Sequence, residues 1–567
     1  MSTAAPTMTA ARTGPGSGTR IGVGFILLLP ALLALAWSYL LPTVLAGWRS
    51  TTRDNLLGPA DGVGAANYQA RFSQGILGDF GWTLLLALVP LALALLVAPL
   101  LALLADRAGR RARLAVRALI AAPVAGYAPV ALLLGWRLDR LEPGAVANRQ
   151  YATLVELTAV GGAGLVVAVA TTAFLGTLHG RSRRRDALPA ASTVAGLLVF
   201  GIIAAALQSY TAPLLTGNSH TPLTHVVTVS LTRMDLGGGS AGAVLLLIPL
   251  ALLGLAATAL LLVSRVRIEV VDEAARGEHP NDPVRKTDPG RGADGGSHRA
   301  GIGLAVVCAF LIGLSLWVAW PWLRRSLRFT NEVAPLRAVS LTDMLVSTWL
   351  PTLLSALVTI AVAVAGGFAI GGMRPLGRFS ELLLLPFAPW LFVGTGPLAI
   401  ESYLRARDAD QLGTLLGVVP PGWVSIPALF LFTVLFRGLE PRWRAGGGFV
   451  RSMVAPSLPM IGLVGLVTWL VAAGQVLWPF IAAQPPMARP APLEAMVQAT
   501  TGRLPADELA LGAVLPLPMM LLFLAALVWL QVRYLDRLAV RVGRESPRVA
   551  DVGYRGRPGS AISKWTL

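Results

Sequence analysis

Lysine is almost missing from this chain: Lys286 and Lys564 are the only two in 567 residues. Neither follows a glycine, so the Gly-x4-Gly-Lys-Ser/Thr loop that cradles nucleotide phosphates is excluded, and any ATP must be used by a partner. Cysteine is as scarce, with Cys308 alone inside an apolar run. An internal disulfide is impossible, and a thiol site is not indicated. The five histidines are scattered and form no Cys/His cluster with metal-ligand spacing, so no metal is expected. Charged residues make up only 13% of the chain against 55% hydrophobic ones, and the mean hydropathy is +0.66. That balance leaves no water-soluble core. About twelve apolar runs of roughly the 20 residues needed to cross a ~30 Å hydrocarbon layer can be counted. Their backbones must be helical, because lipid offers no hydrogen-bond partners.

The net charge of +18 does not point to nucleic acid. The arginines fall in alternate short loops beside apolar spans, the pattern that sets membrane topology. The densest turn of the first half, Asp106 to Arg113, is therefore assigned to the inside, as are His179 to Arg185, Arg437 to Arg451 and Arg533 to Arg548. Residues 1–20 read as a disordered cytoplasmic tail and not as a signal peptide. A first bundle of six spans occupies residues 21–263. Residues 264–300 turn abruptly to Pro, Gly, Asp, Glu and Arg, a cytoplasmic linker with a reach on the order of 30 Å. A second bundle of six spans fills 301–532, and 533–567 is a cytoplasmic tail. The ninth span is placed at Leu382 to about Tyr403, the tenth at about Gly417 to Phe436, and the eleventh opens at Leu458-Pro459. Glu156, Glu401 and Glu381 lie near span ends, where interfacial snorkelling is the expected state.

The second half repeats the first. Sliding it back by 270 positions sets Leu458-Pro459 on Leu188-Pro189, Phe480 on Tyr210 and Pro492-Leu493 on Pro222-Leu223. Further upstream another offset sets Pro386 on Pro123 and Trp390 on Tyr127. Halves with an even number of spans share one orientation, which puts a pseudo-twofold axis along the membrane normal and a pathway on that axis.

These pieces resemble the two permease subunits of a carbohydrate-uptake ABC importer of the maltose-transporter type, fused into one chain. In the first half the resemblance rests on the proline-containing first span, Asn55 to Pro59 with Asn67-Tyr68, Leu103 to Trp136, and Gln208 to Gly217. In the second it rests on Gly366 to Pro386, Leu412 to Pro420, and Leu477 to Phe480 with Pro490 to Leu493. The family's cytoplasmic Glu-Ala-Ala loop spaces a Glu, a Gly six positions on, and a Leu-Pro pair; Glu440, Gly446, Leu458 and Pro459 keep that spacing. Pro441 and Arg442 replace the alanines. In the first half Gly176 keeps its place before Leu188-Pro189, while Ala170 stands where the Glu would be.

The resemblance implies an all-α type I permease fold and no enzyme activity in this chain. It also implies two ATPase partner subunits, which hold ATP and magnesium, and an extracytoplasmic solute-binding lipoprotein. The multi-pass protein would sit in the plasma membrane with both termini cytoplasmic. Coupling to the ATPases would involve Gly176, Arg181, Arg183, Arg184, Leu188 and Pro189, and in the second half Glu440, Arg442, Arg444, Gly446, Arg451, Leu458 and Pro459. Trp478, Pro479, Phe480, Gln484 and Arg489 would contact the binding protein. Gln208, Tyr210, Trp469 and Gln475 are the candidates for the solute path. Two other classes compete. The turn Ala105 to Arg111 also resembles the loop between spans two and three of major-facilitator transporters. A lipid-linked glycosyltransferase would want paired acids in the first outside loop, where Asp54 and Asp61 stand alone.

Overall fold

The computed structural model describes residues 17–54, 61–140, 153, 156–159, 162–179, 187–217, 221–271, 297–328, 340–485, 489–501 and 511–543. Nearly all of this is helix. Among the described residues nine helices are long and apolar enough to cross a membrane. A tenth is obtained if Arg110–Ala125 and Pro129–Arg137, bent by 73°, count as one broken span. The chain is a helical, multi-pass membrane protein.

Besides this broken third span, two of the twelve expected spans are not membrane-crossing helices. The ninth is a tight 3-10 helix, Gly377–Trp390, interrupted by Pro386 and Pro389, followed by turns and then a polar helix, Ala399–Asp408. Proline removes the amide that an α-helix needs and clashes with the preceding turn. The tenth expected span begins in irregular chain. Its helix, Ile426–Arg444, is apolar only as far as Phe436, about eleven residues or roughly 16 Å of axis.

In chain order the helices are α1 (Ser17–Leu35), α2 (Leu41–Arg49), α3 (Ala66–Ser73), α4 (Ile76–Ala92), α5 (Ala98–Ala108), α6 (Arg110–Ala125) and α7 (Pro129–Arg140). Then come α8 (Ala163–Leu178), α9 (Leu188–Leu207), α10 (Thr211–Thr216), α11 (Pro222–Val227) and α12 (Leu236–Ser264). The second half has α13 (His298–Arg328), α14 (Leu341–Phe368), α15 (Ala399–Asp408), α16 (Ile426–Arg444), α17 (Ala455–Ala473), α18 (Leu477–Ala482), α19 (Ala491–Thr501), α20 (Leu511–Val514) and α21 (Leu517–Arg533).

Prolines leave a regular mark on these helices. Four π-turns, Ala36–Leu40, Leu93–Val97, Ala369–Met373 and Val450–Val454, each end one residue before an X-Pro pair, at Pro42, Pro99, Pro375 and Pro456. In each, the residue before the proline donates its amide five residues back, as Leu41 does to the Ala36 carbonyl. The widened turn moves the carbonyls that the proline cannot serve. Consequently the eleventh span does not open at Leu458-Pro459. Helix α17 starts at Ala455 with Pro456 in its first turn, and Pro459 lies inside it.

The halves are interleaved. Helix α1 lies on α14 and on the π-turn Ala369–Met373 of the second half, and α13 lies reciprocally on α5 and α7 of the first. Two further exchanges match: α12 packs on the 3-10 helix Gly377–Trp390, and α21 packs on α6. Strands β1 (Thr52–Arg53) and β2 (Asp61–Gly62) make a short antiparallel pair after the first span. On the face that carries the arginine-rich turns, strands β3 (Arg267–Val270) and β4 (Leu538–Arg541) form an antiparallel ribbon, pairing Ile268 with Val540 and Arg267 with Arg541. These strands follow the last helix of each half, so the ribbon joins equivalent segments of the two halves. Strand β3 packs on α16 and β4 on α8, again as equivalents. Glycines permit both approaches. A Cβ at Gly438 would stand 1.9 Å from the Ile268 carbonyl oxygen, and one at Gly176 would stand 3.0 Å from Val540 Cγ2.

Candidate functional site: the basic face and the axial break

At the basic face α16 runs past its apolar part into Arg437, Glu440, Arg442 and Arg444. Burial of the carboxylates is compensated by crossing ion pairs. Arg437 Nη1 lies 3.0 Å from Glu381 Oε2, Arg374 reaches both Glu381 and Glu440 at 3.8 Å, and Arg444 pairs with Glu440 one turn away. Arg442 donates to the Val270 carbonyl of the ribbon at 2.5 Å. Glu440, the lone acid of its segment in sequence, is thus buried among cations from two elements. Glu381 is held the same way and does not snorkel.

Gly446 ends this helix with φ +93°, in open space, the left-handed conformation that glycine adopts without a Cβ penalty. The chain then turns into the π-turn at Val450 and α17. The turn is held down by rings: Phe449 packs on Phe368 at 5.5 Å and on Trp443 at 5.7 Å between centroids. Phe449 and Val450 stay substantially exposed beside the exposed Arg444 and Arg451. This helix–glycine–helix knob presents apolar and cationic groups together. In the first half, Gly176 lies within α8 and Leu188-Pro189 open α9 with Leu188 exposed; Arg181, Arg183 and Arg184 lie outside the described residues. Gly176 and Gly446 are not alike in setting, because the glycine that meets the ribbon from the second half is Gly438.

A second constellation lies where the two halves meet. Helices α9 and α17 end at Leu207 and Ala473, followed by Gln208 and Gln475, while Pro189 and Pro456 stand in their first turns. Both pairs are 267 positions apart, three fewer than the offset inferred from sequence. Gln208 donates from Nε2 to the Phe392 carbonyl at 2.7 Å and accepts the Gly394 amide at 2.7 Å. Thr395 Oγ1 lies 3.5 Å from Gln475 Oε1. The break in the ninth segment, 391–398, is therefore threaded between the ends of the two helices, with Gly394 and Gln475 exposed. The other two solute-path candidates do not join it. Tyr210 is buried, and Trp469 donates to the Trp349 carbonyl at 3.0 Å and packs on Phe523 at 5.3 Å, inside the second half.

On the opposite face, Trp478 is buried and donates to the Gly417 carbonyl at 3.1 Å, and Pro479 is buried beside it. Phe480 and Gln484 are exposed, and Arg489 lies 3.4 Å from Glu494. Glu401 does not snorkel either: it is 3% exposed, with Arg49 Nε at 2.9 Å and Ser240 Oγ at 3.3 Å. Arg49 also pairs with Asp54, tying the end of the first span to α15 of the other half. Glu156 is fully buried and accepts a hydrogen bond from Thr216. Distance in sequence hid these partners, since Arg49 and Glu401 are 352 positions apart.

Fold and charge distribution define a polytopic membrane protein built of two interleaved halves. A comparison with protein families and with curated proteins finds no match to the chain.

Proposed function

We propose that this chain is the membrane-spanning permease of an ATP-driven, binding-protein-dependent importer for a sugar or sugar-like polar solute. The observation that carries this reading is the reciprocal exchange of α1 and α13 about an axis marked by the β3–β4 ribbon. Two halves interleaved in this way move as rigid bodies about the axis, and a passive gate of this kind needs an external motor. The knob at Phe449, Val450, Arg444 and Arg451 is the docking surface for one ATPase, with Glu440 and its arginines fixing the knob to α16. Residues 176–188 receive the other. By the positive-inside rule this basic face is cytoplasmic, and Phe480, Gln484 and Arg489 then face the solute-binding protein. Polar groups at the axial break, Gln208, Gln475 and Thr395, are suited to meet solute hydroxyls as the break opens. No cofactor is assigned to this chain, since nucleotide and magnesium belong to the motor.

The test is to purify the chain from its native membrane with its co-expressed neighbours, then measure ATP hydrolysis in vesicles with and without the solute-binding protein. Co-purification of an ATPase and a lipoprotein is expected. Phe449→Ala should lower stimulated hydrolysis about tenfold, a loss of about 1.4 kcal/mol in coupling, without releasing the chain from the membrane. Solute uptake by the isolated chain on a proton gradient would replace this reading with a secondary transporter.

A further inference from the structure

A groove of about 390 Å3 runs along the outer seam between α1 and α14. Pro30, Leu33 and Ala34 form one wall, and Val358 and Val362 form the other. Trp37 and Trp423 close its upper end. The surrounding helix faces are lipid-facing, with Ile26, Leu29, Leu350 and Leu354 exposed. Two exposed tryptophans at one level mark a bilayer interface. That level agrees with Arg407 and Asp408, outward-facing charged groups that hydrocarbon would penalise.

Arg405 lies at this level, directly over the groove's mouth. Its Cζ is 4.1 Å above the Trp37 ring, and its Nη1 donates to the Trp37 carbonyl at 2.9 Å. This carbonyl has been released by the π-turn Ala36–Leu40: its own donor five residues on would be Pro42, which has no amide. Among the described residues Arg405 makes no ion pair, and the two acids of its helix, Glu401 and Asp408, are taken by Arg49 and Arg407. A cation without a counter-ion is thus held at the headgroup level above an apolar slot.

We infer that this seam is a binding site for one anionic phospholipid, with its phosphodiester on the Arg405 guanidinium and one acyl chain in the groove along Leu33 and Pro30. Guanidinium pairs with phosphate through two parallel N–H bonds, and Nε and Nη2 of Arg405 donate to no group among the described residues. A zwitterionic lipid brings its own ammonium beside the phosphate and loses that advantage. The site is independent of which solute, if any, the chain moves.

Native mass spectrometry of the detergent-purified chain, offered phosphatidylglycerol and phosphatidylcholine at equal concentration, tests the assignment. The wild type should retain one phosphatidylglycerol about tenfold more tightly than phosphatidylcholine, roughly 1.4 kcal/mol. Arg405→Gln should abolish that preference while other lipids stay bound, Leu33→Trp should reduce retention of both lipids, and Arg407→Gln should change nothing. Equal retention of the two lipids by the wild type would overturn the inference, and that comparison needs no variant to fold. So would an undiminished preference in Arg405→Gln, or a dimer mass with the seam inaccessible to either lipid.

Discussion

Glycine shows at single-residue scale what the repeat uses for contact and what it uses for turning. Gly438 meets a carbonyl oxygen at a distance no Cβ tolerates, whereas Gly446 has nothing near it. Gly438→Ala is therefore expected to force β3 off α16 and destabilise the protein by about 1–3 kcal/mol, the usual cost of overpacking. Gly446→Ala should cost about 1 kcal/mol through backbone strain alone. Thermal unfolding of the two variants in one detergent checks the order. The pair Arg49–Glu401 makes a second residue-scale test. Removing one partner leaves a buried charge, so Arg49→Ala should cost about 3–5 kcal/mol, and the double variant Arg49→Ala with Glu401→Leu should recover much of it. Additive losses in a double-mutant cycle would contradict the pairing. The sequence set Glu440 among arginines, but Arg374 and Glu381 join it only through packing between elements, which hydropathy does not encode.

Elements were legible to the extent that their cause is local. Apolar length and arginine-rich turns located most spans, but the ninth was expected as an unbroken span although Pro386 and Pro389 lie inside it. In α9 and α17 the first-turn prolines lie 267 apart where 270 was expected, while Pro222 and Pro492, 270 apart, both stand in the first turns of α11 and α19; a shift of three is most of a helical turn and keeps the apolar faces aligned. The π-turn before an X-Pro pair gives a prediction on the first span. In the wild type, Arg405→Gln leaves the Trp37 carbonyl without its donor and should cost about 1.5–3 kcal/mol, as for a hydrogen bond to a charged group. In a Pro42→Ala background the amide of residue 42 can serve that carbonyl. The cost of Arg405→Gln should then shrink to a fraction of its wild-type value. Equal costs in both backgrounds, read by chemical denaturation, would show that the π-turn and Arg405 are not coupled.

For the whole molecule, hydropathy counted helices but carried no information about which helix leans on which, and the interleaving of the halves was invisible to it. Its consequence is strong. Helix α1 buries Leu28, Ala31, Ala34 and Leu35 in a core shared with Ile360, Ala363, Leu429 and Phe432 of the second half. Likewise Leu304 and Trp322 of α13 belong to the core of the first half, where Trp322 also closes on Gly135. Each half expressed alone would expose the seat of the missing span and the seat of the exchanged α12 or α21. Fully burying one large apolar side chain in water-facing regions contributes about 1.5–3 kcal/mol; within lipid the same contacts count through packing and not through solvent exclusion. The polar ties Tyr39 to the Val424 carbonyl at 3.1 Å and Trp136 to the Val318 carbonyl at 2.7 Å are lost with them. Residues 1–271 or 297–567 produced separately should therefore fail to accumulate as folded protein, while co-expression of the two pieces should restore a complex with the unfolding midpoint of the intact chain. Two independently stable halves would mean that the ribbon and the exchanged helices are late contacts between finished bundles. Recovery only on co-expression would place the fold's stability in the exchange itself.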